Sequence, residues 1–155
     1  MTVYVCSLSA SPDQLIQPGT YTLLTFPFEE DQLDYQLMHQ PAQPDGFAAT
    51  SCDPRSGLIW PSCEGWGSLT AEFSWEPGGY SEIRDQFVRD PLGLAGEPNA
   101  TALVHRPLSP GWQIIGKHHE IMVHPGVPLG VQVWHNDTVP RKVTYAQFKL
   151  AIHPW

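Results

Sequence analysis

Alternation of apolar and polar side chains is the strongest signal along this chain. Between residues 68 and 75, Leu69, Ala71, Phe73 and Trp75 alternate with Ser68, Thr70, Glu72 and Ser74. Successive side chains of a strand point to opposite faces, so this segment predicts a strand with one buried and one solvated face. Pro61, Gly65 and Gly67 precede it. Proline fixes one backbone angle and glycine permits positive φ, which predicts a sharp turn into the strand. The same period recurs near the end. Thr144, Ala146, Phe148, Leu150 and Ile152 form one face there, and Tyr145, Gln147, Lys149 and His153 the other. Over 129–136, Leu129, Val131 and Val133 oppose Gln132 and Trp134. Shared period places Phe73, Trp75, Val131, Val133, Phe148, Leu150 and Ile152 in the core.

The remaining segments are shorter. Residues 1–19 carry an alternating Val3-Tyr4-Val5 and then Ser, Pro, Asp and Gly, which predicts an N-terminal arm or an edge strand. Residues 20–28 are rich in β-branched and aromatic side chains and read as a strand that leaves its sheet at Pro27. Residues 29–39 could form one helical turn, and Pro and Gly then dominate to Gly57, which predicts loop with one short strand in it. Leu58–Trp60 is a brief apolar strand. Glu76–Gly79 reads as a hairpin turn into a returning strand, Tyr80–Arg89, whose charges suggest a solvent-facing side. Loop follows over 90–99, then strands over 100–105 and 112–123. Sixteen Pro and thirteen Gly cut the chain into short pieces, and no segment carries the longer helical period. The pattern predicts an all-β chain: a jelly-roll β-sandwich of two packed antiparallel sheets, one domain over 1–155.

Composition narrows the function. A length of 155 residues suits one core. The net charge is −8 and the eight Lys and Arg are scattered, which argues against a nucleic-acid partner. No apolar run approaches the roughly 20 residues of a membrane-spanning helix. The first residues lack the positive region of a signal peptide, so synthesis in a cytoplasm is expected. Cys52 and Cys63 could meet across a loop with Cys6 left over, but a reducing compartment favours three thiols.

The order of features resembles a known family over nearly the whole chain. It begins with Gly19, Thr20, Tyr21, Thr22, Thr25 and Phe26. An acidic stretch from Glu29 to Asp31 and the pair Met38-His39 follow. Next come the short strand Leu58–Trp60, the proline–turn–glycine passage into the central strand, the strand ending at His135-Asn136, and the last alternating strand. This resembles the C1q and tumour-necrosis-factor-like jelly rolls of tailed-bacteriophage virion proteins. Two stretches depart from it: the short Gly78-Gly79-Tyr80 turn, and a loop over 90–113 that is longer and richer in Pro. The resemblance implies a structural or attachment component of the virion, of the minor tail protein type. Such a module is commonly trimeric, is not an enzyme, and assembles with other virion proteins in the host cytoplasm. The rival readings are a capsid decoration or head-fibre protein, and a carbohydrate-binding module that contacts a host-surface glycan.

Candidate chemistry is sparse. His118, Glu120 and His124 share parity on one strand, and imidazole and carboxylate suit zinc. A polar strand face at a rim accounts for the same residues. Glu29, Glu30, Asp31 and Asp34 offer oxygen ligands without an EF-hand spacing. No nucleophile elbow, P-loop or dinucleotide fingerprint occurs, so no catalytic residue and no cofactor is assigned. Trp66, Trp112, Trp134 and Trp155 fall at turns, rims or polar faces. Gln132, Trp134, Tyr145 and Gln147 are weakly charged for a surface and are the expected interface of a homo-oligomer, with a trimer favoured.

Overall fold

The computed structural model describes residues 1–28 and 32–155. Its strands are β1 Tyr4–Ala10, β2 Gln14–Ile16, β3 Thr22–Leu23, β4 Gln32–Asp34, β5 Gly65–Trp75, β6 Glu82–Arg89, β7 Asn99–Pro107, β8 Gln113–Val123, β9 Leu129–His135 and β10 Arg141–Pro154. A single 3-10 turn, Pro54–Gly57, is the only helical element among the described residues. One sheet runs β4-β1-β10-β5-β8, with β2 also pairing β10; the other runs β3-β9-β6-β7. Every pairing is antiparallel.

The alternation of β5 does what its sequence predicts. Leu69, Ala71, Phe73 and Trp75 face inward and are buried, and Phe73 lies opposite Ala146 of β10 and Ile115 of β8. Glycine is required at the start of this strand. A Cβ at Gly65 would stand 2.4 Å from the His153 carbonyl oxygen, so only a residue without a side chain lets the strands close. The seven expected core residues are all fully buried between the sheets. Phe148 sits between Phe26 and Phe87, at ring-centroid distances of 6.1 and 6.0 Å.

Several expectations change: among them, strand β4 at Gln32–Asp34 lies in the segment expected to form a helical turn, and Leu58–Trp60 makes only an isolated bridge at Ile59. The opening segment is not an arm or an edge: β1 lies inside the six-stranded sheet between β4 and β10, and Cys6, Leu8 and Ala10 are buried. Glu76–Gly79 is not a hairpin turn. β5 pairs β8 and β10, whereas β6 pairs β7 and β9, so this link crosses from one sheet to the other. Buried Tyr80 fills the crossing against Trp75, with its hydroxyl donating to the Glu76 carbonyl. The strand expected over 20–28 shrinks to Thr22–Leu23, because Leu24 and Phe26 turn into the core and the Phe26 N–H bonds the Ser56 carbonyl instead. Finally, a bulge between Val143 and Tyr145 shifts the face of β10, so Val143 rather than Thr144 is buried.

The charged β6 holds the main surprise. Asp85 is fully buried and points between the sheets. Lys117 Nζ of β8 lies 3.0 Å from one of its oxygens, and Arg106 Nε of β7 lies 2.6 Å from the other. Lys117 Nζ also donates to the Ala102 carbonyl. Ala102 has φ +52° within an irregular stretch of the β6–β7 pairing, where the register shifts between Asp85 and Phe87. A buried ammonium requires acceptors, and this bulged residue supplies one. The group ties β6 and β7 of one sheet to β8 of the other, two sheets that no strand ladder joins.

Two buried histidines fix the loops. His135 Nε2 donates to the Ile16 carbonyl at 2.8 Å, and its Nδ1 accepts from Asp137 N at 3.1 Å. His39 Nε2 donates to the Ser56 carbonyl at 2.7 Å, its Nδ1 lies 2.9 Å from the Gln32 amide, and its ring lies 4.6 Å from Phe28. Burial pushes the His39 imidazole below its ordinary pKa, against the Ser56 bond and nearby Asp34, which favour the proton.

Candidate functional site

Apart from the Asp85–Lys117–Arg106 group and His135, the inward parity of both sheets is apolar, so most exposed chemistry lies on the outward parity. On the six-stranded sheet the registers align Ser7, Lys149, Thr70 and His118 in one row, and Val5, Ala151, Ser68 and Glu120 in the next. Ser9, Gln147, Glu72 and Gly116 form another, and His153, Trp66 and Met122 lie towards one end. Gly116 has no side chain to fill its place. A hollow of about 380 Å³ opens there, lined by Thr70, Glu72, His118, Gln147 and Lys149. A second hollow, of about 310 Å³, lies across β4, β1 and β10 between Leu33, Ser7, Ser9 and Tyr145. Gln147 Nε2 donates to the Tyr145 hydroxyl at 2.6 Å on the ridge between them.

The proposed metal ligands separate. His118 and Glu120 share the outward face of β8, as their parity requires. Glu120 is already engaged: it accepts from Trp66 Nε1 at 3.0 Å and from the Ser68 hydroxyl at 3.3 Å. The Trp66 bond, joined by Ser68 and by the fields of His118 and His153, holds its carboxyl below the usual range. His124 lies past the strand end, 3.5 Å from Glu64. Among the described residues no three His, Cys, Asp or Glu side chains converge as cation ligands. Of the acidic stretch, Glu29, Glu30 and Asp31 lie outside the described residues. Asp34 caps its own turn, accepting from Met38 N and His39 N at 2.8 Å each and from Gln40 Nε2 at 3.0 Å.

The expected interface residues also divide. Tyr145 and Gln147 lie on the outer face of the six-stranded sheet, and Gln132 and Trp134 on the outer face of the four-stranded one. They form no single patch. Around Trp134 the four-stranded face is closed by local partners. Arg84 Cζ lies 3.9 Å above the Trp134 ring, Arg84 Nε bonds Glu82 at 2.9 Å, and His105 Nδ1 lies 3.1 Å from the same carboxylate. Gln86 Nε2 donates to Gln132 Oε1 at 2.7 Å.

Several exposed apolar residues escaped the sequence reading. Ile114 and Met122 share the outward parity of His118 and Glu120, which was visible in the alternation of β8. Leu33, Tyr35 and Leu37 project at the β4 edge. Leu37 has φ +56°, a costly conformation for a branched side chain, held by the Asp34 cap. No simple sequence signal marks that turn.

Neither a protein-family model nor a curated protein matches the sequence. Solved structures do match over the full length. The globular domain of zebrafish complement 1qA protein aligns with a TM-score of 0.61 at 12% identity, covering 97% of each chain. The Eiger TNF of S. frugiperda aligns at 0.61 and 9% identity, covering 99% of this chain and 94% of that one. Murine APRIL aligns at 0.57 and 11% identity, covering 96% and 98%. Two antiparallel sheets, this strand order and these alignments together establish the fold as a jelly roll of the C1q and TNF type.

Proposed function

We propose that this chain is a homotrimeric interaction module, a structural or attachment component of a bacteriophage virion of the minor tail protein type. The observation that carries the assembly is the outer face of the six-stranded sheet. Along β1, β5, β8 and residues 145–153 of β10, its formally charged side chains are Glu72, Glu120 and Lys149. The rest are Ser, Thr, Gln, His, Ala and Gly with Val5, Tyr145 and the exposed Trp66, Ile114 and Met122. Free surfaces carry more charge, and interface cores are depleted in it. A threefold axis beside this face would use the one patch three times, filling hollows that a lone chain leaves open. The virion role rests on the sequence resemblance. It places the module in a particle assembled in the host cytoplasm, against other virion proteins.

Light scattering on the purified chain tests the trimer, and electron cryo-microscopy of an intact particle tests the role. The expected result is a threefold density with the six-stranded faces turned to the axis, present in few copies at the tail. Many copies on the head would instead make it a decoration protein. A single copy with that face open to solvent would overturn the assembly.

A further inference from the structure

A groove of about 600 Å³ lies where β2, which pairs β10 in the six-stranded sheet, meets β3 of the four-stranded sheet and two proline-bearing loops. We infer that it is a binding site for a neutral saccharide. None of its lining residues belongs to the outward rows of β1, β5, β8 and β10 that form the proposed assembly face, so the inference does not rest on that assembly.

The lining is the first argument. Tyr21, Leu23, Pro54, Pro91, Leu92 and Gln132 form half of it, and among the described residues no Asp, Glu, Lys, Arg or His lines it. In a chain of net charge −8, an uncharged groove of this size selects against ionic ligands. The lining is also mixed. Tyr, Leu and Pro offer flat apolar surfaces for the C–H face of a pyranose ring, and Gln132, Thr22 and the Tyr21 hydroxyl offer donors and acceptors for its hydroxyls. A purely apolar ligand would leave those polar groups unpaired, and an ion would find no counter-charge.

The walls are also fixed before any ligand arrives. Gln14 clamps Thr25 through three bonds: its Oε1 accepts from the Thr25 N–H at 2.8 Å and from the hydroxyl at 3.1 Å, and its Nε2 donates to the carbonyl at 2.9 Å. Ile16 behind it is fully buried. The Gln132 amide is oriented by Gln86 Nε2 at its oxygen, which turns its NH2 end away from Gln86. Arg84, stacked on the Trp134 ring and paired with Glu82, stands near Tyr21. Preorganised polar groups lose little freedom on binding, which suits a weakly held, water-soluble ligand.

The test uses the full ¹⁵N-labelled chain titrated with maltose, cellobiose, lactose and mannobiose, each to about 50 mM, and separately with a ten-residue polyproline peptide. At least one disaccharide is expected to give saturable amide shifts confined to residues 14–25, 52–54, 91–92 and 132. Leu92→Arg, at an exposed rim position, should weaken that binding at least about tenfold. Tyr21→Phe, which keeps the ring, should weaken it by a smaller factor, with the amide spectrum away from the groove unchanged for both variants. The inference fails if none of the four sugars shifts these amides, if the shifts map to the six-stranded face, if Leu92→Arg binds as well as the parent, or if only the peptide binds.

Discussion

On the outer face of the six-stranded sheet, Trp66, Ile114 and Met122 stand 41%, 68% and 41% exposed among serines, threonines and a glutamine. On the opposite face, Trp134 lies beneath Arg84, which is tied to Glu82, which in turn meets His105. Both surfaces come from the same period-two alternation. The difference lies in how each outward side chain is satisfied. Around Trp134, large and charged groups find partners on the next strand, so the surface is complete within one chain. On the six-stranded face charged groups are few, and Ile114 and Met122 stand exposed among polar neighbours. Exposed apolar area is informative where charge is sparse: Trp66 and Met122 pair at one end of the β5–β8 ladder, and Ile114 stands at the other.

The sharpest way to break this contrast is to charge one face at a time. Ser68→Lys combined with Ala151→Lys places like charges side by side on the six-stranded face, at paired positions of β5 and β10. If the proposed trimer forms, the expected outcome in light scattering is a fall from its mass to that of a single chain, with strand content by circular dichroism unchanged. Replacing Gln86 with Lys on the other face should leave the assembled mass as it was. If both pairs of measurements agree, the two faces are equivalent and the asymmetry argued here is wrong.

Between the faces, the buried Asp85–Lys117–Arg106 group should respond next most strongly. Asp85→Asn leaves a buried ammonium without its counter-charge, at a cost of about 3–5 kcal/mol in urea denaturation. The paired change Asp85→Leu with Lys117→Met removes both ions and should cost clearly less than the single one. A single variant as stable as the parent would mean that water already solvates this site.

The loop bordering the six-stranded face adds a pH signature. His39 is buried and its pKa is depressed, so as pH falls the unfolded chain takes up a proton first, near 6.5, and the folded chain lags behind. Stability is therefore full above that pH and declines below it, until the folded ring protonates as well. Thermal melts from pH 8 to pH 5, compared with His39→Gln, should show the decline in the parent and a flatter dependence in the variant. The smallest effect is expected at Trp134. Trp134→Ala removes a half-exposed cation–π pair worth about 0.5–1 kcal/mol, and calorimetry should detect no larger loss.

Much of this architecture could be read from residue order. The alternation of 68–75, 129–135 and 145–153 placed the core, because one face of each strand is buried and a slip of one residue would expose it. What could not be read was pairing. Glu76-Pro77-Gly78-Gly79 has hairpin composition, yet the strands on either side belong to different sheets, and no local signal distinguishes a turn back from a crossing. Asp85 looked solvated because its two partners lie 21 and 32 residues away on β7 and β8. The parity of His118 and Glu120 was legible; the Trp66 and Ser68 bonds that engage Glu120 depend on which strand lies beside β8. The four expected interface residues were grouped by chemical likeness, and sheet membership then set them on opposite sides.

The position of β10 carries a consequence for biosynthesis. Residues 141–154 fill the gap between β1 and β5, so the first and central strands of that sheet acquire their shared neighbour only after the ribosome has passed residue 154. Until then, the nascent chain holds two strand borders open at the heart of a sheet, each able to capture a stray strand from another chain. Folding should thus be late, slow for its length and dominated by one distant closure. Translation speed and chaperone access during that interval, more than equilibrium stability, would govern how much of the chain reaches its native form.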